Sequence, residues 1–195
     1  MAHLWHGIPA GINPPEDLNV VIEIPSGSKC KYELERNSGT IYVDRIIASA
    51  VYYPGNYGFV PQTMAEDGDP LDALVLSQVS FHPGITVRVR PIGLMRMTDD
   101  GEPDDKVLCV PLRDPRFREV STTEDLPTSI IEEIEEFFRV YKNLEEQQIV
   151  IKGVDTREHA LSLILAAMEA YRQVFSGQQQ SALSARQPCN ARDDG

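Results

Sequence analysis

The sequence predicts an α+β protein, mainly β, in which a small barrel of short strands carries two helices packed on its outside. Two textures predict it. From Asn19 to Val110, segments rich in β-branched and aromatic residues alternate with short clusters of Pro, Gly, Asn and Asp. After about Asp125 the apolar residues take up helical spacing. Size supplies the third observation, because 195 residues that are 42% apolar can bury one good core and favour a single domain.

The strand candidates are, in order, NVVIEIP from Asn19, CKYELE from Cys30, TIYVDRII from Thr40, ALVLS from Ala73, TVRVRPIGLM from Thr86 and KVLCVPL from Lys106. PSGS, RNSG, YPGNYG, EDGDP and HPG read as the turns between them. The first helix is expected in LPTSIIEEIEEFFRVYKNLEE, where Ile130, Ile131, Ile134, Phe137, Phe138 and Tyr141 form the stripe of a helix lying on a core. A second should start at an N-cap, Asp155 or Thr156, run through REHALSLILAAMEAYRQVF and stop at Gly177. The remainder is polar and aperiodic, so residues 177–195 are expected to be a disordered tail and residues 1–176 the single domain.

A formal charge of −12 argues against nonspecific nucleic-acid binding, which relies on Lys and Arg facing phosphates. It leaves phosphate open as a substrate, since divalent cations and a few aimed basic residues can reverse the field in one cleft. The N-terminus, MAHLWHGIPAGINPPEDL, lacks a basic segment followed by an apolar run, and no window approaches the roughly 20 apolar residues of a membrane span. Cys30, Cys109 and Cys189 are odd in number and widely spaced, which suggests neither a disulfide framework nor a zinc site. A cytoplasmic protein without membrane or nucleic-acid partners is expected.

The densest chemical signal is EDGDPLDALVL, where Asp67, Asp69 and Asp72 precede an apolar strand. Three carboxylates there repel one another unless a positive charge sits between them. In an extended backbone Asp67 and Asp69 share a side, and Gly68 and Pro70 supply a turn that can bring Asp72 round. A solvated acidic turn is the bland reading of such a pattern. A calcium-binding EF-hand loop is excluded, because its sixth position is not Gly and its twelfth, counted from Asp67, is Gln78.

A second acidic group, TDDGEPDDK, places Asp99, Asp100, Glu102, Asp104 and Asp105 at another strand end, with Lys106 at its edge. Alone it would be a charged hairpin tip. Beside the first group it would form a basin for several cations. Lys31 and Glu33 share a strand face, and Glu23 interrupts an alternating apolar strand, so both acids are candidates for a polar interior. Arg45 beside Asp44 reads as a surface ion pair, Tyr53 and Tyr57 as turn residues capping the core, and Lys142, after Tyr141 at the end of the first helix, as a helix-end lysine facing solvent.

These residues resemble the soluble family I inorganic pyrophosphatases of the short bacterial or plastid type. The family signature Asp-x-Asp-Pro-hydrophobic-Asp reads as Asp67-Gly68-Asp69-Pro70-Leu71-Asp72, and VVIEIP, KYELE, VDR, YPGNYGFVP, MTDDGEPDDK and FFRVYKNLE follow the family's order. The likeness runs roughly from Pro14 to Phe175. It implies a five-stranded OB-like barrel and Mg²⁺-dependent hydrolysis of pyrophosphate to two phosphates by direct attack of water. By the same resemblance Asp67, Asp72 and Asp104 bind activating metal, and Asp99 joins Asp104 at a further, substrate-borne one. Glu33 reaches a metal through water, and Asp69 is the general base. Lys31, Arg45, Tyr57, Lys106, Tyr141 and Lys142 grip phosphate, with Glu23 and Tyr53 in support. A homohexamer is also implied, with Mn²⁺ or Zn²⁺ as substitute metals. The paired acids leave a register slip open, Asp100 or Asp105 standing in for Asp99 or Asp104, although the offsets to Lys106 favour the latter two.

Charge counting agrees with several metals. Seven acids against Lys31, Arg45, Lys106 and Lys142 leave a formal −3. Pyrophosphate adds about −4, so about three to four divalent cations would neutralise the loaded site. Two rivals remain from other classes. A single-stranded nucleic-acid module would want a basic groove with stacking aromatics, and for a divalent-cation buffer the phosphate-binding cations would be superfluous.

Overall fold

A computed structural model describes residues 2–145 and 148–184 of the chain. Among these residues nine strands and two α-helices follow in the order β1 (Leu18–Ile24), β2 (Cys30–Glu35), β3 (Thr40–Ile46), β4 (Asn56–Phe59), β5 (Asp72–Val75), β6 (Thr86–Asp99), β7 (Glu102–Pro103), β8 (Lys106–Pro111), α1 (Thr128–Val140), β9 (Ile149–Asp155) and α2 (Arg157–Ser184). Five of the strands close a ring, because β1 pairs with both β4 and β6, β4 with β5, β5 with β8, and β8 with β6. All of these pairings are antiparallel except β5 with β8, which is parallel. Closure leaves the ring without an open edge, and this is the OB-like barrel.

Three features of the strands differ from the sequence reading. YPGNYG, read as a turn, contributes β4, the fifth strand of the ring. Gly58 is required there, since a Cβ at this position would stand 1.9 Å from the Val21 carbonyl oxygen. The close approach of β1 and β4 disguises a strand as punctuation. Gly58→Ala should therefore force the two strands apart and cost about 1–3 kcal/mol, read from the shift in the urea midpoint.

CKYELE and TIYVDRII do not join the ring. They form a separate two-stranded sheet, β2–β3, with Tyr42, Val43 and Ile46 exposed. The third difference is β9, unforeseen in QIVIKGVD, which lies antiparallel to the outer half of the long β6.

The helices stand where their stripes put them. Ile134, Phe137, Phe138 and Tyr141 of the first helical segment are buried in a core shared with Tyr53, Tyr57, Leu74 and Leu108. Burying a side chain such as Phe138 contributes about 1.5–3 kcal/mol. The second helix is capped by Thr156, whose Oγ1 accepts from the His159 amide at 3.4 Å. Its Ala160, Ile164 and Ala167 pack on Val20, Ile22, Leu94 and Val107. Gly177 does not stop it, and the helix continues to Ser184. One glycine costs a helix interior only about 1 kcal/mol, which good helix formers around it offset. Of the expected tail, residues 185–195 lie outside the described residues. No helix among the described residues is long and apolar enough to cross a membrane.

Candidate active site

Asp67, Asp69 and Asp72 reach the same cleft by a tight turn. The Asp69 amide donates to Asp67 Oδ1 at 2.9 Å, and Gly68 takes φ +84°, a backbone that a side chain would strain. The Ala65 amide then closes the loop on the Asp69 carbonyl at 2.7 Å, and Asp72 opens β5. Because β5 runs parallel to β8, their starts lie side by side, and Lys106 opens β8. Topology therefore joins the two acidic groups.

The resulting cleft, about 290 Å³, is lined by the three signature acids and by Glu23, Glu33, Asp99 and Asp104. Lys31, Lys106, Lys142, Tyr53, Tyr57 and Tyr141 line it with them. Arg45 is the one expected site residue outside this lining. Its guanidinium lies 2.6 Å from Asp44 and 2.7 Å from Glu145, and its Nε is buried without a hydrogen-bond partner among the described residues. Asp44, the partner expected from the sequence, and Glu145, which the sequence reading missed, thus hold it beside the cleft. The register question resolves by placement. Asp100 sits in the hairpin turn with φ +49° and accepts from the Gln148 amide. Asp105 accepts from the Met97 amide and pairs with Arg96 at 2.9 Å, while Asp99 and Asp104 face the cleft.

Lys106 is not at the edge of this basin but in its floor. Its ammonium lies 2.5 Å from Asp72, also contacts Asp104, and is 3% exposed. Burial alone would lower its pKa, but Asp72 and Asp104 outweigh burial and hold it above the ordinary lysine value. Asp72 is itself raised, first by burial, against the pull of Lys106 and with the push of Asp104. The Tyr57 phenol is pushed well up by burial and then by the Asp72 charge, and stays neutral.

Lys142 is likewise not a solvated helix end, being buried and paired with Asp99. The other oxygen of that carboxylate, Asp99 Oδ1, is buried with no hydrogen-bond partner among the described residues. Burial pushes the Tyr141 phenol well up, with Asp104 and Asp99 adding to it.

The two expected interior acids separate. Glu23 is buried, and burial followed by the Asp72 charge raises its pKa well above the ordinary range. Its Oε1 accepts from the Leu34 amide at 2.8 Å and so ties the β2–β3 sheet to the barrel. Glu33 is 38% exposed and paired with Lys31, because β2 stands outside the ring and its face borders the cleft rather than the core. Arg36, at the turn after β2, is a residue the sequence reading missed, and it lies 2.5 Å from Asp69 Oδ1.

Known proteins resemble the chain in sequence and in fold. The family model described as inorganic pyrophosphatase matches residues 20–172. The chain is 45% identical over 171 residues to an inorganic pyrophosphatase of Aquifex pyrophilus, covering 86% of this chain and 97% of that one. It is 44% identical over 170 residues to a soluble inorganic pyrophosphatase of Oryza sativa subsp. indica, covering 87% and 79% respectively. The crystal structure of the inorganic pyrophosphatase from Thermus thermophilus superposes with a TM-score of 0.84 at 40% identity, over 88% of this chain and 99% of that one. Matched across most of its length in sequence and in fold, the chain belongs to the inorganic pyrophosphatase family.

Proposed function

We propose that the chain hydrolyses pyrophosphate to two phosphates with divalent cations bound, by direct in-line attack of water and without a covalent intermediate. The observation that carries this reading is the cleft floor, where Asp72, at the start of β5, and Asp104, in the link between β7 and β8, share a single cation, the Lys106 ammonium. The donors fit a hard cation: they are carboxylate oxygens, and Asp99 Oδ1 is buried without a partner among the described residues. Mg²⁺ commonly takes one or two carboxylates and completes its shell with water and phosphate.

Asp67, Asp72 and Asp104 would hold the activating cations, Asp99 with Asp104 a further one, and Glu33 one through water. Bound there, such cations would neutralise phosphate oxygens and acidify a water. The chain's own groups supply the rest. Asp69 accepts the proton that the attacking water loses as its oxygen bonds to one phosphorus. The bridging P–O bond breaks, and the departing phosphate carries the electron pair toward Lys31, Lys142 and the Tyr57 and Tyr141 phenols. Both phenols are held neutral by burial and neighbouring carboxylates and so keep a proton to donate.

The geometry does not favour the nucleic-acid alternative, since of the aromatics lining the cleft Tyr53, Tyr57, Phe59, Phe138 and Tyr141 are core residues and Tyr32 alone is partly exposed. Phosphate release from pyrophosphate in Mg²⁺ is expected to stop on chelation and return when Mg²⁺ is restored. Release that continues in excess chelator would remove the metal from the reading. No release with metal present would remove the activity.

A further inference from the structure

Asp69 is held by a group from outside the cleft lining. Arg36 Nη2 lies 2.5 Å from Asp69 Oδ1. Arg36 follows the last residue of β2, in the turn to β3, and does not line the cleft. Its charge faces Asp69 first, then Asp67 and Glu33.

The turn that presents Arg36 is anchored from two sides. The Glu35 carboxylate accepts from the Asn37 amide at 3.2 Å and the Ser38 amide at 2.6 Å, and the Gly39 amide donates to the Glu35 carbonyl at 2.8 Å. From the N-terminus, His3 Nε2 donates to the Arg36 carbonyl oxygen at 3.0 Å, while His3 Nδ1 accepts from the Trp5 and His6 amides. Trp5 is buried against Phe59 and Tyr171 in a core of its own, with its Nε1 donating to the Thr63 carbonyl at 2.8 Å. The guanidinium therefore projects from a backbone fastened to the body of the protein, not from a loose hairpin tip.

We propose that Arg36 is a positioning residue for Asp69: it grips the carboxylate through Oδ1 so that the other oxygen is presented to the attacking water, and it acts on the reaction only through Asp69. The inference rests on the reading of Asp69 as the proton acceptor. A carboxylate paired on one side with a cation carried by an anchored turn keeps its orientation as the water approaches, whereas Asp69, 46% exposed, would otherwise sample several rotamers. The pair is too exposed to matter much to stability, Arg36 being 54% exposed, so its removal should leave folding intact.

The test is a double-mutant cycle on the full chain with Mg²⁺ and pyrophosphate, with melting temperature measured for each variant. Arg36→Ala should lower kcat about tenfold with KM within about twofold and the melting temperature unchanged, and Arg36→Lys should recover part of the loss. In an Asp69→Asn background Arg36→Ala should change kcat by less than about twofold, because the carboxylate it served is gone. The same tenfold loss in both backgrounds would overturn the proposal, as would a raised KM with kcat unchanged, which marks a phosphate contact. Wild-type turnover by Asp69→Asn would instead overturn the assignment of Asp69, and the Arg36 proposal with it.

Discussion

Asp69→Asn is expected to lower kcat by about 10²–10⁴-fold, the usual contribution of a positioned general base, while the binding of divalent cations largely survives. The asymmetry follows from where the three signature acids sit. Asp72 and Asp104 share the Lys106 cation in the floor, and Asp67 Oδ1 accepts the Asp69 amide. The Asp69 side chain pairs with Arg36 at the rim. Asparagine keeps the shape and the backbone turn but cannot take a proton from water at neutral pH. Steady-state kinetics alongside a calorimetric Mg²⁺ titration checks both halves. A variant that turns over like the wild type would remove Asp69 from the chemistry, and one that loses cation binding in proportion to kcat would make it a ligand instead.

Lys106→Met should be the most damaging substitution to the fold around the site as well as to activity. It removes a 3% exposed ammonium and leaves two carboxylates facing each other across its place. Breaking a fully buried ion pair costs about 3–5 kcal/mol. Because water reaches part of both carboxylates here, about 2–4 kcal/mol is expected, read from urea denaturation. The repulsion should also give a distinctive sign. With Asp72 and Asp104 as the proposed ligands, Mg²⁺ would compete with the ammonium in the wild type and meet no competitor in the variant, so it should raise the melting temperature of Lys106→Met more than that of the wild type. Equal Mg²⁺ stabilisation of the two proteins would mean that Lys106 and the cation do not share ligands.

Several of these positions can be read from local pattern. Gly68 and Pro70 dictate the turn that folds Asp67 back on the Asp69 amide. The offsets to Lys106 select Asp99 and Asp104 for the cleft over Asp100 and Asp105. Thr156 caps the second helix, and the Ile134–Phe137–Phe138–Tyr141 stripe finds the core. In each case the cause lies within a few residues of the effect. The failures have the opposite character. Tyr57 belongs to a barrel strand because Gly58 can cross β1 closely, a contact with residues far away in the chain. Lys142, at a helix end that by itself would face solvent, is buried because Asp99 at the end of β6 meets it. Arg36 carries no local signal at all, as its relation to Asp69 exists only once the β2–β3 sheet is seated by Glu23 and pinned by His3.

What the amino-acid order determined by itself is the chemical inventory and its short-range geometry: three acids in one turn, a second group at a strand end, cations and phenols to answer them, and the α+β architecture. Which of these charges neutralise one another was decided only by the tertiary structure. The parallel pairing of β5 with β8 puts Asp72 beside Lys106, and ring closure turns both toward a single hollow. The physical reason is that periodicity and turn chemistry act over a few residues, whereas the energy of a charge depends on burial and on partners brought in by strands far apart in sequence.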